Sequence, residues 1–170
     1  SWDGFAPSDA VTDDVRRIET LWKLAREHAV SDGPWLFGDY TLADAFYAPA
    51  AGRFATYQIS VGDDAKAYVD ATLADPTFRR WRAMGLTKTY QPMPYRLDLR
   101  EMPWPGPAAI TALAIDSGTP ENDVCPYSGR PITHLAEIAG RTFGFCNAFC
   151  RDKTVADPAA WPKFMALLDR

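Results

Sequence analysis

Long apolar runs are missing from this chain. No stretch approaches the ~18 residues that a membrane-crossing helix needs, so no membrane partner is expected. A surplus of basic residues is missing too: 18 Lys and Arg stand against 22 Asp and Glu, a formal net charge of -4. A nucleic-acid footprint is basic, so nucleic acid is not expected as a partner either. Cysteine is scarce, with three residues, and histidine scarcer, with two. Three unevenly spaced cysteines make a poor disulfide framework and suit a reducing compartment, so cytoplasm is the expected location. The first residues do not have the form of a secretory signal.

What is present falls into three stretches. A chain of 170 residues can hold one ordinary domain or two small ones. Residues 1–86 read as helical, 87–124 as a proline-rich strap, and 125–170 as a small Cys-rich module. The expected fold is therefore mainly α: a helical bundle plus a small ββα module.

In the first stretch, Val11, Val15, Ile18, Leu21, Trp22, Ala25 and Ala29 recur at steps of three and four, one helical stripe. Asp32-Gly33-Pro34 closes it as a turn. Thr41-Leu42-Ala43-Asp44 has the form of a capping box, in which hydroxyl and carboxylate each take a backbone N–H of the other residue. The helix it opens carries Pro49, which removes one internal hydrogen bond. Further helices are expected from Asp63-Asp64 and from Asp75-Pro76, the latter with Pro in the first helical position.

The strap contains Pro92, Pro94, Pro103, Pro105, Pro107 and Pro120. Its aromatics, Tyr90, Tyr95 and Trp104, suit an ordered extended segment followed by a mobile stretch near residues 116–123. A disordered tether is the alternative. Trp104 and the prolines could also dock a partner or a second copy of the chain, which leaves a homodimer open.

All three cysteines lie in the last stretch: Cys125 before a Pro-Tyr-Ser-Gly turn, then Cys146 and Cys150 four residues apart. Residues at that spacing share one helical face or turn mouth. Thiolates gathered in this way are metal ligands, and tetrahedral zinc needs a fourth. His134 lies between the two cysteine segments and is the candidate for that position; the alternative is a hydrogen-bonded strand histidine. The sulfurs could instead be reduced thiols without a metal, or one could be a nucleophile lowered by a helix N-terminus. Strands are expected around Ile132–Ile138 and Arg141–Phe145, then a helix from Ala148 and another from Asp157-Pro158.

Two resemblances add to this. Gly33-Pro34-Trp35-Leu36-Phe37-Gly38, the Thr41–Asp44 box and the aromatics through Tyr57 resemble the C-terminal helical domain of bacterial glutathione S-transferases, over about residues 10–86. The family begins with a thioredoxin-like domain of roughly 80 residues, the size of one small domain, which holds glutathione and the catalytic residue. Nothing in this sequence matches that domain. The resemblance therefore implies a fragment beginning at Ser1, with glutathione bound only through the missing half and no catalytic residue here. The parent protein would conjugate or exchange glutathione with a small electrophile. Phe46, Tyr47, Phe54 and Tyr57 would line the electrophile pocket, or simply pack the core.

Residues 125–168 resemble the YHS and TRASH-type metal-binding domains. The match lies in Thr142-Phe143-Gly144-Phe145-Cys146 through Cys150-Arg151-Asp152, and in Asp157-Pro158-Ala159-Ala160-Trp161. It implies a metal-binding module, and with the ligands read from the residues the expected site is a structural zinc held by Cys125, His134, Cys146 and Cys150. Many relatives carry cysteine where this chain has Ser128.

Overall fold

Ser8 starts the first helix. Its hydroxyl accepts the Val11 N–H at 3.3 Å, and α1 runs Asp9–Glu27 with Val15 and Trp22 buried. Leu21 of the expected stripe is 44% exposed, so the buried face is narrower than the apolar pattern. The computed structural model describes residues 1–90 and 97–170. Pro92, Pro94 and Tyr95 of the strap lie outside the described residues.

The chain divides into two compact units. One comprises Ser1–Asp75 and Met93–Pro107, the other Pro76–Pro92 and Ala108–Arg170. This differs from the division at residues 86 and 124 read from the sequence. Among the described residues there are six α-helices and two small antiparallel sheets, so the class is mixed α and β with substantial helix. No described helix is long and apolar enough to cross a membrane.

In the first unit, α1 is joined by α2 (Leu42–Thr56) and α3 (Asp63–Ala74). Trp22 organises the core. Its ring lies 5.7 Å from Tyr47, 5.7 Å from Phe54 and 4.5 Å from Tyr68, centroid to centroid. The capping box is formed: Thr41 Oγ1 accepts the Ala43 N–H at 3.2 Å and Asp44 Oδ2 accepts the Thr41 N–H at 2.7 Å. The turn before it depends on Gly38, whose φ is +90° and where a Cβ would meet the Ser31 carbonyl oxygen at 2.4 Å. The strap is pinned at the chain start: β1 (Trp2–Asp3) pairs antiparallel with β2 (Arg100–Glu101), and the Ser1 ammonium donates to Met102 O at 2.9 Å.

In the second unit, α4 (Pro76–Leu86) shares a core with the Cys-rich segment, through Ala83. Its Arg79 clamps Asp157 with two parallel bonds, Nε–Oδ2 2.7 Å and Nη2–Oδ1 2.6 Å. The sheet has three strands, β3 (Ala112–Ile115), β4 (His134–Ile138) and β5 (Arg141–Phe145), in that order. The expected ββα module is thus βββα, because residues read as strap supply the third strand. Ala136 and Ile138 of β4 alternate with more exposed residues and, with Phe143 and Phe145 of β5, turn inward, while Gly144 between the two phenylalanines is buried under Ile132. Ala139 and Gly140, both at positive φ, make the tight hairpin turn. Helix α5 (Ala148–Ala156), a 3-10 turn (Pro158–Ala160) and α6 (Pro162–Leu168) follow, with Trp161 and Phe164 closing the core.

The stretch expected to be mobile is tied to β5 instead. The Asn122 amide takes the Gly144 N–H (2.8 Å) and gives to Gly144 O (2.9 Å), as a paired strand residue would. Arg141 binds the Glu121 carboxylate through Nε and Nη2.

Candidate metal centre

Three separate local structures deliver the three sulfurs. Cys125 opens a knuckle in which its N–H donates to Arg130 O (3.0 Å) and its carbonyl accepts the Gly129 N–H (2.9 Å). Gly129 sits at φ +68°, the left-handed conformation such a fold-back needs. Asn122, three residues upstream, anchors this knuckle to β5 by the bonds given above. Cys146 follows the end of β5, and its carbonyl accepts the Thr133 hydroxyl at 2.8 Å. Cys150 lies in the first turn of α5, where Asn147 is the N-cap and its Oδ1 accepts the Cys150 N–H at 2.8 Å.

The sulfurs of Cys125, Cys146 and Cys150 all lie within 4.8 Å of one another, and Cys146 and Cys150 are 3.8 Å apart. Tetrahedral zinc with Zn–S near 2.3 Å places its sulfurs about 3.8 Å apart. The three thiols are unbridged, so the cluster could hold a metal ion. Cys125 is buried, while Cys146 and Cys150 are half-buried, which leaves one side of the cluster near solvent.

Polar groups surround the sulfurs. Ser128 Oγ donates to Cys146 Sγ at 3.2 Å, and Asn147 Nδ2 donates to the same sulfur at 3.4 Å. Burial pushes the Cys125 thiol up, but the N–H groups of Cys146, Tyr127 and Ser128 and the Ser128 hydroxyl outweigh it and bring the group down to about 6. These donors favour the thiolate. Cys150 moves the other way, to about 11, because burial, its hydrogen bond with Cys146 and the neighbouring sulfur charges all oppose its ionisation; Lys153 opposes that rise. The Lys153 ammonium lies 3.9 Å from the Tyr127 ring centroid and 4.0 Å from that of Trp161. Burial lowers its proton affinity, against the pull of the three sulfurs.

His134 is not brought into the sulfur cluster. Its Nδ1 is 2.9 Å from Thr133 Oγ1, whose single hydroxyl proton goes to Cys146 O. The Nδ1 is therefore the donor, and the ring is held as a strand histidine. It lines a separate cleft of about 620 Å³ with Asp116 and Arg151. The polar side-chain atoms that do meet the cluster are the Ser128 hydroxyl and the Asn147 amide nitrogen, and of these only the hydroxyl oxygen could serve as a ligand.

The four aromatics of the electrophile pocket are spread out. Phe46 is 85% exposed. Tyr47 packs edge-on to Trp22, and Tyr57 packs on Phe5 at 4.9 Å. Phe54 is buried and also lines a cavity of about 330 Å³ with Ile59, Val69 and Leu73.

Asn147 and Lys153 were not singled out by the sequence, and Ser128 was noted only as a departure from a family pattern. Asn147 carried a signal, a capping residue one position before a helix. Ser128 carried one only through the resemblance to YHS-type domains, many of which have cysteine there. Asn122 carried none, since a lone Asn in a polar loop is unremarkable.

No family model matches this chain, and neither the curated proteins nor the solved structures contain a match.

Proposed function

We propose that the second unit is a thiolate metal-binding module and that zinc is its ion, bound by Cys125, Cys146 and Cys150 in a structural role. The observation that carries this is the convergence of three sulfurs from three different local structures to within 4.8 Å of one another, with hydrogen-bond donors aimed at Cys146. Soft thiolates select zinc and copper(I) over hard cations. The fourth zinc position would fall to Ser128 rather than to His134.

Elemental analysis of chelator-free protein tests the reading. About one zinc per chain is expected, as for a single tetrahedral site. Cys150→Ser should remove most of it, and His134→Ala should leave it in place. A wild-type protein without metal, with all three thiols freely titrating, would overturn the proposal.

A second reading concerns the first unit, as the C-terminal helical part of a glutathione transferase-like protein, in which a thioredoxin-like domain would bring glutathione to a small electrophile. The Thr41–Asp44 box at the start of a buried helix supports it. That box is also what any well-capped helix needs, so it carries less weight than the sulfur cluster. Glutathione conjugation to a chlorinated aromatic by this chain alone would contradict it.

A further inference from the structure

We propose that Lys153 is a specificity-determining residue of the thiolate site, whose fixed ammonium biases the three sulfurs toward ions that leave the complex more negatively charged than the empty site. This rests on the metal reading above and goes beyond it, because it assigns a charge preference to a residue outside the ligand set.

The placement is built rather than incidental. Lys153 follows Cys150 by three residues on α5, so both project from the same face of that helix. Its ammonium is 3.9 Å from the Tyr127 ring centroid, 4.0 Å from that of Trp161 and 5.6 Å from that of Phe149. Lysine stems are normally free to swing in water, and ordering one costs conformational entropy. Here the enclosing rings are themselves fixed. Tyr127 Oη and Thr154 Oγ1 are 2.5 Å apart, and Trp161 Nε1 donates to the Lys153 carbonyl at 3.0 Å. Tyr127 and Trp161 meet edge to face at 5.8 Å. Tyr127 also belongs to the knuckle that carries Cys125, so the cation is held at the knuckle and not merely near its own helix.

Aromatic faces attract a cation but carry no net countercharge. Among the described residues no carboxylate pairs with Lys153. The anionic groups that act on it are Cys150, Cys125 and Cys146. A half-buried ammonium on the helix of Cys150, caged against Tyr127 of the Cys125 knuckle, therefore offsets negative charge that the sulfurs hold once an ion is bound.

That remaining charge depends on the ion. With Cys125 held near 6, the empty site at neutral pH carries one thiolate and two thiols, a charge of minus one. Copper(I) displaces the two remaining protons and leaves two net negative charges, a gain of one. Zinc(II) displaces the same two protons and leaves one, no change. Arsenite, As(OH)₃, condenses with the two thiols, the thiolate and one proton to a neutral As–S₃ centre and three waters, a loss of one. Lys153 should help the first, leave the second nearly unaffected and oppose the third.

The test uses the full chain and its Lys153→Met and Lys153→Arg variants. Affinities for copper(I) under anaerobic conditions, zinc(II) and arsenite are measured by chelator or dithiol competition, with sulfur coordination checked by X-ray absorption. In Lys153→Met the affinity should change roughly tenfold per unit of charge gained or lost on binding, the order expected for charges several ångströms apart at intermediate dielectric. Copper(I) should thus bind about tenfold more weakly, zinc(II) about as before and arsenite about tenfold more tightly, while Lys153→Arg stays near wild type. A loss of equal size for all three ions would mean that the side chain only supports the fold, and would overturn the proposal. No loss for any of them would overturn it as well. If the wild-type chain binds none of the three, the metal reading itself fails and this inference goes with it.

Discussion

Replacing Asp44 with alanine should damage the first unit more than the loss of an ordinary helix cap. The side chain is 1% exposed. Its Oδ2 accepts the Thr41 N–H (2.7 Å) and the Thr41 hydroxyl (3.0 Å), and its Oδ1 accepts the Leu36 N–H at 3.0 Å. Losing the cap costs about 0.5–2 kcal/mol. The Leu36 amide is the larger concern, because Leu36 is 1% exposed and its N–H would be left without a partner. An orphaned buried donor costs about 1–3 kcal/mol. A total near 3 kcal/mol is a reasonable centre, since the two terms overlap in one carboxylate and do not simply add. For a unit of this size that corresponds to a fall of roughly 15 °C in its melting temperature. Thermal melts followed by circular dichroism would read the fall. Amide exchange would localise it, with Leu36 and Thr41 protected in the wild type and exposed in the variant. Thr41→Ala, which removes the hydroxyl but leaves the Leu36 bond, should cost only about 1 kcal/mol. If Asp44→Ala melted as little below wild type as Thr41→Ala does, the carboxylate would not be the joint between turn and helix that this reasoning requires.

Two further outcomes concern the sulfur cluster. Ser128→Cys places a fourth sulfur where a hydroxyl now meets Cys146, so zinc binding, measured by chelator competition, should tighten by about tenfold or more; unchanged affinity would place Ser128 outside the coordination sphere. In metal-free protein, Cys125 is held near 6 from an ordinary value of 9.0, so the unfolded chain binds more protons than the folded one between those values. The stability of the second unit should therefore rise as pH goes from about 6 towards 9 and decline as pH falls through about 6, and Cys125→Ala should flatten that slope in denaturant titrations.

Elements with periodic or capping signals were legible in the sequence. The Thr41 box, Pro76 at the start of α4 and the hairpin around Ala139-Gly140 all rest on local chemistry, and each lies where that chemistry points. The third strand was not legible. Ala112–Ile115 is four residues of small and apolar side chains between prolines, and only its partner β4 makes it a strand. The unit boundary was hidden for a similar reason. Asp75-Pro76 reads as a helix restart within one bundle, whereas Ala83 and Arg79 give α4 its partners in the Cys-rich segment. At the site, cysteine type and spacing marked the sulfurs, because few other roles need three thiols so gathered. His134 was drawn in by scarcity of alternatives. Its strand register and its bond to Thr133 depend on backbone pairing that a lone histidine in a sequence does not reveal.

The second unit also bears on why this site would need only three sulfurs. A zinc-dependent mini-domain lacks a sufficient core and gains its folding free energy from the ion. Here Phe143, Phe145 and Phe164 are completely buried, Ala136 and Ile138 with them, and the Arg79–Asp157 clamp secures the helical side. That core lies on the sheet and helices, whereas the sulfurs sit where Cys125, Cys146 and Cys150 emerge from their ends. Asn122, Thr133 and Asn147 fix those ends through hydrogen bonds that involve no sulfur. These bonds hold the ligand-bearing ends through the chain's own polar groups. In the structural role proposed for zinc the fourth corner must be closed, and the Ser128 hydroxyl, 3.2 Å from the Cys146 sulfur, is the group placed to close it.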